Sequence, residues 1–209
     1  MKVYVITYPA PKDIKKIVKI EQNDYVIAVD QGLYFANKQR IKVDLVVGDF
    51  DSLRMKSLLH GLNVEKLEVE KDLTDTHYAL IKAQEMNPEE IYLIGGIGGE
   101  RPEHTYANIM LLNHFNNLKI LTENSTFEVV TKYKKTTWDG FLNIFPFNKS
   151  IITLKGFKYD LKEHELEKFN TLGISNYLTK DFGEIYVHEG QILLIQTKKK
   201  CFKSILNSI

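Results

Sequence analysis

The chain has 209 residues, 44% hydrophobic and 26% charged, with a formal net charge of +1. At roughly 100–200 residues per domain this allows one or two globular domains, and the near-neutral balance excludes a global field drawing it to nucleic acid or membrane. One cysteine, Cys201, excludes an internal disulfide and a cysteine-built zinc site, and fits a reducing cytoplasm.

In chain order, Val3–Thr7 reads as a strand and Lys12–Ile20 as a helix, with Ile14, Ile17 and Val18 at helical spacing. Tyr25–Val29 is a strand ending at Asp30-Gln31-Gly32, and Leu33–Gln39 a short helix. Asp44–Val47 is a strand, and Ser52 caps a helix running to about His60. Val64–Val69 alternates as a half-exposed strand would. Thr74–Met86 is a helix with Thr74 as its cap. Glu90–Ile94 is a strand ending in Gly95-Gly96, Glu103–Phe115 a helix, and Leu118–Leu121 a strand. Repeated β-α-β units of this length predict a mostly parallel, helix-covered sheet over residues 1–123. No stretch approaches the ~20 apolar residues of a spanning helix, so no membrane partner is expected.

Beyond Asn124 helical periodicity fades. Strands are predicted at Phe127–Tyr133, Thr136–Phe145, Ser150–Leu154, Gly183–His188, Gln191–Thr197 and Cys201–Leu206, with Glu189-Gly190 as a hairpin turn and Leu161–Phe169 as the one helical segment. The fold class is therefore an α/β domain, 1–123, followed by a mostly antiparallel, sandwich-like β domain, 124–209. The basic runs Lys132, Lys134, Lys135 and Lys198–Lys200 read as solvated faces or guarded strand edges.

Four polar clusters fall at predicted strand ends of the first domain: Asp30-Gln31-Gly32; Gly48-Asp49-Phe50-Asp51-Ser52; Lys71-Asp72-Leu73-Thr74-Asp75; and Gly95–Gly99 followed by Arg101, His104 and Asn108. Ligands of open α/β sheets bind outside the carboxyl ends of the strands. Asp49 and Asp51, two apart in an extended segment, would point the same way and share one hard cation. Mg²⁺ typically takes one or two carboxylates plus substrate phosphates. The glycines let backbone N–H groups approach an anion at a helix start. Lys71 and Arg101 supply phosphate counter-charge, and His104 is a general base or phosphate donor. Neither a dinucleotide fingerprint nor a Walker A loop is matched. The set is the equipment of phosphoryl-type transfer, in which positioning and electrostatics do most of the catalysis.

In this order the clusters resemble thiamine pyrophosphokinase. The Gly48–Ser52 run with Lys71–Asp75 about twenty residues on is the most specific part, and Arg101-Pro102-Glu103-His104-Thr105-Tyr106-Ala107-Asn108 is similar to the family's Arg-x-Asp-His-x-x-Ala-Asn. Gly156–Leu161, Gly173–Asn176 and Gly190–Leu194 resemble elements of its thiamine-binding β domain. The resemblance implies pyrophosphoryl transfer from ATP to the hydroxyl of thiamine, giving thiamine diphosphate and AMP, in a cytoplasmic homodimer using Mg²⁺. Carried over, Asp49, Asp51 and Asp75 would hold the metal, and Asp72 would join them as a catalytic carboxylate. Asp30, Lys71, Thr74, Arg101, His104 and Asn108 would face ATP. Ser175 and Asn176 would face thiamine. Glu103 stands where the family has Asp, and Glu100 where it has Gly. Trp138 is expected in the core, and Tyr177 or Phe182 is an aromatic face for the thiazolium. Two other readings keep part of this: transfer to another alcohol such as a hydroxymethylpterin, and a non-catalytic nucleotide or thiamine sensor.

Overall fold

A computed structural model describes residues 1–51, 53, 55–168 and 171–199. The chain divides into two compact units, Met1–Glu123 and Asn124–Ile209. The expected cap at Ser52 and the strand expected at Cys201–Leu206 lie outside the described residues.

In the first unit the strands are β1 (Lys2–Thr7), β2 (Tyr25–Val29), β3 (Leu45–Gly48), β4 (Val64–Lys66), β5 (Glu90–Gly95) and β6 (Leu118–Leu121). The helices are α1 (Gly32–Lys38), α2 (Asp75–Glu85) and α3 (Pro102–Leu111). All five pairings in this sheet are parallel, in the order β4-β3-β2-β1-β5-β6. β1, β2, β3 and β5 are near-continuous apolar runs, because helix cover on both faces leaves no wet side. The chain steps outward from β1 to β4, then returns to place β5 on the other side of β1. That reversal is a topological switch point, and it opens a crevice at the C-terminal ends of β1 and β5.

Three local expectations need correction here. Lys12–Ile20 forms only a 3-10 turn, Ile14–Lys16. The Ile14 N–H is taken by Gln39 Oε1 at 2.7 Å, and Ile14, Ile17, Val18 and Ile20 pack into the core as an irregular strap. The helix expected before His60 is a 3-10 segment, Lys56–Leu59. The Val64–Val69 strand stops at Lys66. Helix α2 has the expected cap, with Thr74 Oγ1 accepting from the His77 N–H at 3.1 Å.

The second unit contains β7 (Ser125–Val130), β8 (Tyr133–Thr136), β9 (Gly140–Pro146), β10 (Ser150–Lys155), β11 (Leu161–Leu166), β12 (Gly183–Glu189) and β13 (Ile192–Lys198). All their pairings are antiparallel: β7-β13-β9 in one layer and β11-β10-β12-β8 in the other. Val130, Leu142, Ile144, Ile152, Leu154, Ile185, Val187, Ile192 and Leu194 fill the space between the layers. Burying each such side chain stabilises by roughly 1.5–3 kcal/mol, so this unit carries its own core. The expected class, an α/β sheet followed by a sandwich-like antiparallel β unit, is the observed one.

Two β-unit expectations fail. Leu161–Leu166 is an edge strand, not a helix. Leu161 and Leu166 face the core, while Lys162, Glu163, His164 and Glu165 stand exposed and guard the edge. Glu189-Gly190 is not a hairpin. β12 pairs within one layer and β13 within the other, so the turn carries the chain between layers.

Candidate active site

A cavity of about 250 Å³ occupies the switch-point crevice. Its walls come from the ends of β1 (Thr7 to Pro9) and β2 (Val29 to Gln31), the start of α2 (Thr74 to Thr76), and the turn from β5 into α3 (Gly96, Gly98 to Arg101, and His104). Thr7 Oγ1 and Thr76 Oγ1 lie 3.2 Å apart in the interior and tie β1 to α2.

Asp30 sits at the cavity floor with a left-handed backbone, φ 45°. Its N–H donates to Val47 O at 3.0 Å, and its Oδ1 accepts from the Phe50 N–H at 3.3 Å. The carboxylate lies over Gly48, where a Cβ would come within 1.9 Å of Oδ1. Burial first, then the Asp75 carboxylate beside it, pushes Asp30 up to about 7. The Phe50 N–H opposes that rise, and Asp49 adds to it. Asp75 Oδ1 is buried and accepts no hydrogen bond. Its near partner is the Lys71 ammonium, at 2.9 Å.

The Asp49–Asp51 segment differs from expectation. It is a turn, not an extended strand end. Phe50 has φ 63° and is buried against Ala28, Leu33, Val46 and Leu53. The Asp51 N–H donates to Asp49 Oδ1 at 3.0 Å. The two carboxylates are therefore placed by a turn pinned at Phe50, not by strand alternation. Among the described residues, no three His, Cys, Asp or Glu side chains are gathered tightly enough to hold an ion as they stand.

Of the other expected nucleotide-site residues, Thr74, Arg101 and His104 line the cavity. Lys71 does not. Its ammonium bonds the Glu68 carbonyl at 2.8 Å as well as reaching Asp75. Asp72 is exposed. Asn108 is only 4% exposed and donates to Gly96 O at 2.8 Å. It shapes the glycine turn from behind and is not among the residues lining the cavity. Thr105 Oγ1 pins the same turn, accepting from the Gly98 N–H at 2.8 Å. Glu100 stands exposed on the cavity wall. Glu103 pairs with Arg101.

In the second unit, Ser175 is exposed, with φ 61°. Asn176 is 4% exposed. Its Oδ1 accepts from the Tyr159 and Tyr177 N–H groups at 3.1 and 3.0 Å, and its Nδ2 donates to Tyr159 O at 2.9 Å. Those bonds tie it to the Tyr159 turn, so its amide is engaged within the fold, while its backbone exchanges hydrogen bonds of 2.8 and 3.0 Å with Leu142 of β9. Trp138 is half-buried, outside the sandwich core, and its indole N–H is buried without a partner. Lys135 lies over the Phe182 ring at 3.9 Å and Lys199 over Tyr177 at 5.4 Å. Each expected aromatic face thus already carries a cation.

Sequence reasoning missed Thr7, Tyr8, Pro9 and Thr76. Their signal was topological. They follow or face the end of β1, and only the strand order makes that end the crevice.

A family model for the thiamin pyrophosphokinase catalytic domain matches residues 18–122, and one for the vitamin B1 binding domain of the same enzyme matches residues 128–192. The chain belongs to the thiamine pyrophosphokinase family. The thiamine pyrophosphokinase of Bacillus subtilis is 30% identical over 192 residues, 82% of this chain and 86% of that one. The fold matches crystal structures of the Geobacillus thermodenitrificans enzyme, with TM-score 0.80, 24% identity and coverage of 95% and 98% of the two chains. It also matches the Candida albicans enzyme, with TM-score 0.71, 13% identity and coverage of 94% and 89%. Family membership makes this chain a pyrophosphokinase, a transferase of thiamine diphosphate biosynthesis.

Proposed function

We propose that the chain transfers the pyrophosphoryl group of ATP to the hydroxyl of thiamine, releasing AMP, with Mg²⁺ as the assisting ion. The observation that carries this reading is the switch-point cavity, with carboxylates at its floor and a glycine turn, Arg101 and His104 on its wall. Backbone N–H groups at the start of α3 favour phosphate, and Arg101 offers a planar donor fork.

The carboxylates suit a divalent ion. Asp30 is held up to about 7 by burial and by Asp75, and Asp75 Oδ1 is buried without a hydrogen bond. Clustered carboxylates that repel one another are what a cation relieves. Asp49, Asp51 and Asp75 would hold it, with Asp30 beside them. When bound it would neutralise phosphate charge. The Lys71 ammonium, 2.9 Å from Asp75 Oδ1, orients that carboxylate. Asp72, at the solvent edge, would support the acidic set. Arg101 and His104 bind the phosphates, Thr74 fixes the start of α2, and Asn108 acts on the nucleotide through the glycine turn.

The α/β unit, 1–123, would bind ATP and the β unit, 124–209, thiamine. Ser175 offers an exposed hydroxyl, and Asn176 holds the loop that presents it. We propose a homodimer working in the cytoplasm. Purified protein with ATP, Mg²⁺ and thiamine should form AMP and thiamine diphosphate in equal amounts. Formation of neither, with a pterin alcohol turned over instead, would move the acceptor assignment. Ligand-induced stabilisation without turnover would favour a sensor.

A further inference from the structure

We propose that Tyr8 is the platform on which the nucleobase of the donor nucleotide stacks. This rests on reading the cavity as the phosphate site. A cavity of about 250 Å³ is smaller than the roughly 300–1,000 Å³ of pockets that enclose a drug-sized ligand. It takes the phosphates and leaves the base outside, against the rim.

Tyr8 forms that rim. It is the residue after β1, at the switch point, and its side chain is 50% exposed although it lines the cavity. The ring is not loose. Phe35 packs beside it with centroids 5.9 Å apart and planes tilted by 31°, and Tyr34 meets Phe35 edge-on at 5.4 Å. The following residue locks the turn to the phosphate-facing glycines: Pro9 O accepts from the Gly96 N–H at 3.0 Å. Gly99 borders the ring. A Cβ there would lie at ordinary contact distances, 3.5 Å from Pro9 Cγ and 3.9 Å from Tyr8 Cε1, and it is the φ of 85° that disfavours a side chain. The glycine keeps that approach to the ring clear. A supported, exposed aromatic next to an anion-binding turn is the arrangement that holds a base by its π-face while the phosphates are held by charge.

The test is calorimetric binding of ATP and of inorganic tripolyphosphate, each with Mg²⁺, to the full-length chain and its Tyr8→Ala and Tyr8→Phe variants. Tyr8→Ala should bind ATP roughly five- to 150-fold more weakly, the range of base–aromatic stacking. Tripolyphosphate affinity should not move, and Tyr8→Phe should stay near the parent. Unchanged ATP affinity in Tyr8→Ala, an equal loss for tripolyphosphate, or a rise in thiamine KM alone overturns the proposal. A parent that binds neither probe overturns the phosphate reading of the cavity and the platform with it. Base-dependent ATP binding without thiamine turnover keeps the platform and removes only the reaction.

Discussion

Arg101 Nε donates to Glu103 Oε1 at 2.8 Å across the first turn of α3. Glu103 thus holds a cation that lines the cavity. The pair is exposed, and exposed pairs contribute little to stability, about 0–1 kcal/mol. Its consequence is for binding. Glu103→Gln releases Arg101 and removes a negative charge beside the cavity. ATP KM should fall a few-fold with kcat and Tm unchanged. Arg101→Ala should raise ATP KM by about tenfold or more, since hydrogen bonds to charged groups contribute about 1.5–3 kcal/mol. Steady-state kinetics with ATP varied reads both.

Asp75 and Asp51 separate chemistry from folding. Asp75→Asn should lower kcat by orders of magnitude while the metal-free protein still folds, because relief of the Asp30–Asp75 repulsion offsets the lost Lys71 ion pair. Asp51 is exposed, so Asp51→Asn should lose turnover with an unchanged melting curve. Near-normal rates in either variant would remove that residue from the metal set.

Asp30 gives the metal-free protein a pH dependence of definite sign. Its carboxyl is raised from 3.8 to about 7 by burial and by Asp75. Between those values the native state binds more protons than the unfolded chain. Stability therefore falls as pH rises through that window. Thermal melts in chelator should show a lower Tm at pH 8 than at pH 5, and Asp30→Asn should flatten the difference. A divalent ion at pH 8 should raise Tm in the parent.

Asn108 and Asn176 should behave as structural residues. Asn108→Ala leaves Gly96 O without its side-chain donor, and a buried unsatisfied group costs about 1–3 kcal/mol. Turnover should drop along with stability, since the glycine turn loosens. Asn176→Ala strands two N–H groups and one carbonyl. It should destabilise by roughly 2–4 kcal/mol, and chemical denaturation would measure it. A rise in thiamine KM without loss of stability would return Asn176 to direct substrate contact.

The sequence by itself determined the parallel α/β unit, the antiparallel β unit, the capped start of α2 and the four polar clusters. Local patterns encode these: apolar runs for strands covered on both faces, alternation for sandwich strands, and glycine and aspartate where strands end. It misjudged Leu161–Leu166, where pairing to β10 outweighs a helical pattern, and Lys12–Ile20, where burial of Ile14 and Ile17 outweighs helical periodicity. Tertiary structure alone decided which carboxylates meet. Asp30 is 45 positions from Asp75 in the sequence, yet it rests against it because β2 lies beside β1 and α2 crosses behind them. The same applies to Tyr8. Nothing local marks it as part of a site. The placement of β5 on the far side of β1 makes its strand end the crevice, since contacts set by strand order are not written in any short stretch of chain.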